Sequence, residues 1–388
     1  MNLSTLKEEF HSFQNTDWML LMVTVSLFLT QYVTAAVLLV FLGWTAYKKE
    51  LWVSIKEQPG AIWIYLFIGI EIIVSFFANN LIGLVNALGM LLVMGFISVY
   101  RKQVHPKLFH YMINIMLIGS IFVGILALFQ FADFSAQKGY DFFEFHIQNS
   151  PKRRIMATFD NANLYATMLE FWIFFCVYRF IQCKGLLKRI FYVVVGLFNF
   201  GLLYLTGCRT ALLPLVVIIP LFFFLAREKK WLLLSLVGLG IGIILVFMEP
   251  DLIPRITDMS TLESRFKIWN CAWMGIQNYP IFGLGPQSYH LYYQMFNGHK
   301  APHAHNIYVD SLASYGIVGT LLIIYYACRY LLPEIINVRL YDRQLFGLII
   351  GFILIFLIHG LLDVTMNVLA TALVFMMILN AGVLVKKD

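Results

Sequence analysis

The stretch "HKAPHAHNIYVDSLASYGIVGT", residues 299–320, sets His303, His305 and Asn306 in the two turns before a long apolar run. Imidazoles there could ligate a metal, act as a base, or simply mark a helix start. Pro302 suits a first helical turn, and a helix beginning at about Asn306 puts His305 at its N-terminus. The helix dipole at that end disfavours imidazolium, and a neutral ring is what a general base needs. His303 and His305 stand two apart, so they diverge on a helix and converge only in extended chain. The nearest carboxylate in sequence is Asp310, inside the run. No metal is expected from so sparse a ligand set, and helix-start polarity is the blander alternative. Val309, Ala313, Gly316 and Thr320 share one helical face with Gly319 beside them. Such a stripe of small residues is expected to let a second helix pack closely and fix the histidine.

Two arginines complete the chemistry. In "LYLTGCRTALLPL", Arg209 interrupts two apolar runs, and Gly207 supplies the bend. Arginine at membrane depth costs several kcal/mol unless it snorkels or is paired; its guanidinium can also fork onto phosphate oxygens. Arg265 lies in "DMSTLESRFKIWNCAWMGIQNYPIFGLGPQSY". Ser260 and Glu263 read there as a capping box, and Asn278-Tyr279-Pro280 closes the helix. Leu262, Phe266, Trp269, Trp273 and Ile276 form its apolar stripe, with Arg265 one residue away. A helix of this kind lies on a membrane surface or across the mouth of a bundle. The following GLG is a tight turn and weak evidence for a phosphate cradle, since no strand precedes it. Softer candidates are Arg154 in a basic run, Asn161 and Asn163 at a helix start, and His359 with Asp363 one turn on. The last two could bond to each other or face one cavity.

The elements that must position these residues are transmembrane helices. Of 388 residues 60% are hydrophobic and only 13% charged, about half the charge of a soluble domain. The sequence reads as an all-α, polytopic membrane helical bundle of about twelve spans. They lie near 18–30, 33–47, 61–78, 81–100, 108–131, 160–182, 189–206, 210–226, 231–248, 306–328, 344–361 and 367–385. The first two are short and could form one re-entrant pair. Lys48, Lys49 and Lys56, then Arg101, Lys102 and Lys107, then Lys184, Lys188 and Arg189 recur in alternate loops, as do Arg227, Lys229, Lys230, Arg339 and Arg343. By the positive-inside rule both termini are cytoplasmic. The net charge of +7 is then topology and needs no nucleic acid. Segments 132–159 and 249–305 become extracytoplasmic loops, the larger carrying short amphipathic helices, and 1–388 is one integral membrane domain. The acidic pair Glu8–Glu9 and Asp17 precede the first apolar run, so no cleavable signal is expected. Five scattered cysteines form neither a zinc framework nor a disulfide scaffold.

Arginines, a neutral histidine and amides at the outer mouth of a bundle suit transfer from a diphosphate leaving group. The arginines would stabilise charge on the phosphates, and His305 would take a proton from an attacking sugar hydroxyl. No nucleotide motif is visible, so a polyprenyl-diphosphate glycan is the expected donor.

His305-Asn306, nine residues, then Gly316-Ile317-Val318-Gly319-Thr320 resembles the H[NSQ]-x9-GxxGT signature of bacterial O-antigen ligases. "TGCRTALL" is similar to that family's T-x-SR segment, with Cys208 where serine is usual. "RFKIWNCAWMGIQNYPIFGLG" resembles its R-x3-W…P-x-x-G-x-G segment, and "ATFDNANLYA" its N-x-N helix start. The superfamily also contains polysaccharide polymerases. The resemblance implies metal-independent, inverting transfer of an undecaprenyl-diphosphate-linked glycan to a glycan or glycolipid acceptor. The reaction would take place on the outer face of the bacterial inner membrane, with no cofactor and membrane lipid as the surrounding partner. It implies His305 as base and Arg209 and Arg265 as diphosphate-binding residues. Asn306, His303, Trp269, Arg154, Asn161, Asn163, His359 and Asp363 are then candidates for substrate contacts. The signature and short loops favour a ligase over a polymerase. A lipid-linked glycan transporter is the reading from another class, disfavoured because the unusual charge lies at the rim and no repeat is seen.

Overall fold

The computed structural model of the chain describes residues 13–145, 147, 153–254 and 260–386, with no β-strand among them. Glu8–Glu9, Lys152, Asp258 and Lys387, and the side chain of Ser260, lie outside the described residues. The helices run in order α1 Asn15–Ser26, α2 Gln31–Tyr47, α3 Glu50–Glu57, α4 Ala61–Phe77, α5 Leu81–Gln103 and α6 Pro106–Ala136. They continue as α7 Ala162–Gln182, α8 Leu186–Leu205, α9 Leu212–Leu225, α10 Lys229–Met248, α11 Ser260–Asn278 and α12 Tyr289–Met295. The last are α13 Ile307–Tyr326, α14 Leu332–Tyr341, α15 Arg343–His359 and α16 Leu369–Leu379.

Every apolar run of the sequence is occupied by a helix, but length separates them. Six helices among the described residues are long and apolar enough to cross a membrane, or seven if α3 and α4, bent by 107°, form one span. One of the six is α13 continued through a π-helical turn, Ala327–Leu331, into α14. Gln31–Tyr47, Arg209–Leu225, Arg343–His359 and Leu369–Val385 are apolar but shorter. The 12 residues of α1 rise only ~18 Å, short of a ~30 Å hydrocarbon core. Among the described residues the apolar runs thus divide into helices long enough to cross a membrane and shorter apolar ones.

The core is built around α7, which is buried on almost every side. Phe171 stacks on Phe352 of α15 with centroids 4.6 Å apart. Gly351 makes room for Phe174, because a β-carbon there would collide with the ring. At the end where α5, α14 and α16 meet, Arg101 donates to Glu334 at 2.9 Å and to Asn380 at 2.7 Å. The two charges are buried but paired and hydrogen-bonded, which is the condition for placing them inside a bundle. The start of α7, the turn before α9, the start of α13 and the end of α15 gather at the opposite end. That end carries the candidate residues.

Candidate functional site

His305 is held by a clamp between the start of α13 and the end of α15. Its own φ is +48°, a left-handed turn out of the preceding loop. Asn306 is the N-cap of α13, its side-chain oxygen accepting from the amides of Tyr308 and Val309, both at 3.0 Å. A cap of this type contributes ~1 kcal/mol. The Asn306 amide group also donates to the Leu361 carbonyl at 3.0 Å, and the Ile307 amide to Gly360 at 2.7 Å. Through these bonds Asn306 clamps the start of α13 to the end of α15. The clamp brings His305 Nδ1 to 3.1 Å from Asp363 Oδ1. A carboxylate there assigns the proton to Nδ1 and leaves Nε2 as the acceptor.

His303 shares the same carboxylate. Its Nδ1 accepts the His305 amide at 3.3 Å, and its Nε2 stands 3.7 Å from Asp363 Oδ1. The two rings, expected to diverge, lie with centroids 4.3 Å apart. The positive φ at His305 folds the segment back on itself, so helical spacing does not govern it. Burial pushes the His303 ring down to about 4, with Asp363 opposing and His305 adding to the shift. For Asp363 burial disfavours the charge, but the hydrogen bond from His305 and the neighbouring imidazoles of His303, His305 and His359 together outweigh it and hold the carboxyl well below its usual range. The Asp363 side chain is 3% exposed and His305 25% exposed, so the carboxylate is sealed in while the outer part of the ring can be reached.

Behind Asp363 the chain of bonds continues. Asn163 donates to Asp363 Oδ2 and accepts from Arg154 Nη2 at 2.9 Å. Arg154 is buried and its Nε donates to the Thr206 carbonyl. Asn161 accepts from the amides of Asn163 and Leu164, both at 2.9 Å, and so caps α7. Arg154, Asn161 and Asn163 therefore build the wall behind Asp363.

His359 does not pair with the Asp363 side chain. Its Nδ1 meets Glu170 Oε2 at 2.8 Å, and its Nε2 lies 3.3 Å from Thr210 Oγ1. Thr210 in turn stands 3.3 Å from Cys208 Sγ. These groups back the turn that carries Arg209, which bends at Gly207 with φ +62° and passes through a short helical turn, Arg209–Ala211, into α9. Arg209 is half-buried. Glu170 was visible in the sequence as a carboxylate inside an apolar run, a signal for a paired or functional group.

The helix α11 ends at Asn278, where the sequence places its end, but its packed face differs. Ile268, Cys271 and Ala272 are buried, while Phe266 and Trp273 of the expected stripe are 64% and 54% exposed. Gly275 explains the rotation: it admits the Tyr292 ring of α12 against the backbone. Trp269 Nε1 donates to the Ala304 carbonyl at 3.0 Å, tying α11 to the residue before His305. Arg265, one turn before Trp269, is half-buried on the same helix.

The small-residue stripe also works differently from the expectation. Gly316 leaves helical geometry at φ 59°, ψ −167°. The segment after α11, rather than a helix, enters the break: Ile317 and Val318 donate to the carbonyls of Pro280 at 2.8 Å and Ile281 at 3.0 Å. The GLG turn docks there as well, Gly285 donating to Ser314 at 3.0 Å. That amide is committed to the fold, which removes it from a phosphate cradle. Gly319 instead faces Phe67 and Glu71 of α4.

His303, His305 and Asp363 each offer a donor atom, all within 4.8 Å of one another. Yet Asp363 Oδ1 already accepts the Val364 amide at 2.8 Å as well as His305, and His303 Nδ1 accepts the His305 amide. The set is satisfied as a hydrogen-bonded group. Beside it an apolar cavity of about 770 Å³ starts at Ile307 and Val364 and runs among Phe67, Ile68, Val93 and Leu369. Its lining is mostly apolar, with Asn86, Asp310 and Asn367 among the polar exceptions.

Residues 193–324 match the family model described as O-Antigen ligase. The match covers the Arg209 turn, α11 and the His305–Thr320 segment, and it supports the O-antigen ligase and polymerase superfamily. No curated protein matches the chain. The match spans three of the helices among the described residues that are long and apolar enough to cross a membrane, at least in part.

Proposed function

We propose that this chain is a glycosyltransferase of the O-antigen ligase type. It takes a glycan from an undecaprenyl-diphosphate carrier and gives it to an acceptor sugar hydroxyl at the outer face of the membrane. The observation that carries the reading is the contact of His305 Nδ1 with the buried carboxylate of Asp363 at 3.1 Å. A neutral imidazole with its proton fixed on Nδ1 presents Nε2 to accept a proton, the arrangement of a general base.

In the proposed reaction, His305 Nε2 removes the proton of the acceptor hydroxyl as its oxygen attacks the anomeric carbon. The bond from that carbon to the diphosphate oxygen breaks on the opposite face, so configuration inverts and the polyprenyl diphosphate leaves. Negative charge develops on the leaving phosphate, where Arg209 and Arg265 act as guanidinium clamps. The carrier's hydrocarbon occupies the apolar cavity beside Ile307. His303, pushed to a neutral state by burial, adds no charge of its own beside the base.

The test uses purified protein with a synthetic undecaprenyl-diphosphate oligosaccharide. His305→Ala should lower transfer by ~10²–10⁴-fold; near-wild-type turnover would remove the proposed base. A chelator should leave the rate unchanged, whereas inhibition reversed by a divalent ion would turn the His303, His305 and Asp363 set into a metal site. Product length decides the acceptor class. One transfer per acceptor means a ligase, and a ladder of repeats means a polymerase of the same superfamily.

A further inference from the structure

At the far end of α7 from the candidate site lies a second cavity that the proposed transfer does not use. The 21 residues of α7 separate its ends by ~31 Å. The cavity has a volume of about 1050 Å³ and is lined by His110, Arg179, Lys184, Lys188 and Arg189, with Leu186 and Leu187 among the remaining residues. Four of these are permanent cations at neutral pH, and no carboxylate lines the space. Basic loops at one membrane face account for the presence of lysine and arginine there. They do not account for the concave arrangement or for how the two arginines are fixed.

Arg179 is held by His110 Nδ1 and Gln182 Oε1, both at 2.8 Å, and Arg189 by the Cys183 carbonyl at 2.7 Å with its guanidinium over the Phe180 ring. All of those partners are neutral, so the positive charge is positioned without being cancelled. Lys184 and Lys188 are exposed and have no hydrogen-bond or ion-pair partner among the described residues. Gathering four cations around one space is unfavourable until an anion enters it. The rim adds a second requirement: Leu186 and Leu187 are 73% and 83% exposed beside the charges. Apolar side chains next to a cationic hollow at a membrane face fit an amphiphile better than a free ion.

We infer that this cavity binds the phosphate headgroup of an anionic phospholipid, with the acyl chains lying against Leu186 and Leu187. Arg179 and Arg189 supply fixed donors to the phosphate, and Lys184 and Lys188 close over it. The site is separate from the transfer centre, and its test does not depend on activity.

Full-length protein in a neutral detergent is titrated with dioleoylphosphatidylglycerol or dioleoylphosphatidylcholine, and retained lipid is counted by native mass spectrometry. The expected result is preferential retention of the anionic lipid, weakened by roughly tenfold or more in the Lys184→Gln/Lys188→Gln double variant. Both lysines are exposed, so the variant folds; an unchanged melting temperature verifies this. Equal retention of the two lipids, or full retention by the double variant, overturns the site. Inorganic phosphate and glycerol phosphate are added as headgroup-only competitors. If either displaces the lipid at equal concentration, the ligand is a free phosphate and the lipid assignment fails.

Discussion

His305 and Asp363 are 58 positions apart in sequence and meet at 3.1 Å through Nδ1 and Oδ1. The carboxylate sets the tautomer of the ring, and the Asn306 clamp on Leu361 sets the distance. Asp363→Asn keeps the size of the side chain but removes the charge that favours a proton on Nδ1. Transfer should fall by ~10²–10⁴-fold, about as far as for removal of the base itself. Steady-state rates of the single and double variants check this, and a full effect of Asp363→Asn on top of His305→Ala would separate the two residues.

Arg209 should not tolerate lysine. Gly207 and the short helical turn at Arg209–Ala211 aim one side chain from a fixed bend, and lysine keeps the charge but loses the fork. Arg209→Lys should cost on the order of 10²-fold in transfer rate. Normal rates would make Arg209 a snorkelling residue.

Acid should loosen the site through His303. The ring is held to about 4 by burial, whereas in an unfolded chain it titrates near ~6.5. Between those values the unfolded state binds the extra proton, so stability is lost as pH falls through that window. From pH 6.5 to 5 the contribution is roughly 2 kcal/mol. Asp363, held low, adds a loss only at pH below its ordinary unfolded value. Melting temperatures from pH 7 to 5 should therefore drop in the wild type and drop less in His303→Gln. Parallel curves would remove His303 from the account.

The break at Gly316 needs glycine. Its φ and ψ lie in a region that side chains rarely enter, and a β-carbon would strike the Ile281 carbonyl. Gly316→Ala should cost roughly 2 kcal/mol or more and expose the 279–285 segment to protease. Unchanged melting and cleavage would show that the segment does not depend on the break.

The Arg209 bend and the end of α11 were legible in the sequence, because a glycine between apolar runs and a closing Asn-Tyr-Pro act locally. The place of His305 at a helix start was legible from local sequence. Its partner was not, since nothing local links residue 305 to 363, and the glycine stripe gave no sign that a loop would enter where a helix was expected. The stripe of α11 misled for a related reason: Phe266 and Trp273 are apolar, but one glycine facing Tyr292 turns the helix away from them. The apolar runs were legible but the lengths of their helices were not, because hydropathy identifies apolar runs but not where a helix stops within them.

Glu170 and His359 are 0% and 1% exposed in their side chains and 2.8 Å apart. Among the described residues no other carboxylate, lysine or arginine is hydrogen-bonded to either side chain, so each leaves the other stranded if removed alone. His359→Leu should therefore cost ~3–5 kcal/mol, as breaking a buried pair does. Glu170→Leu together with His359→Leu should recover much of that loss, because no charge is left unpaired. The double variant still loses the contact from His359 to Thr210, and with it the backing of the Arg209 turn. Stability and transfer should then part: the melting temperature returns towards wild type while the rate stays low. A double-mutant cycle on both quantities checks this. If the rate recovers with stability, the pair only holds α7 and α15 together. If neither recovers, the leucines fail to fill the space the pair occupies.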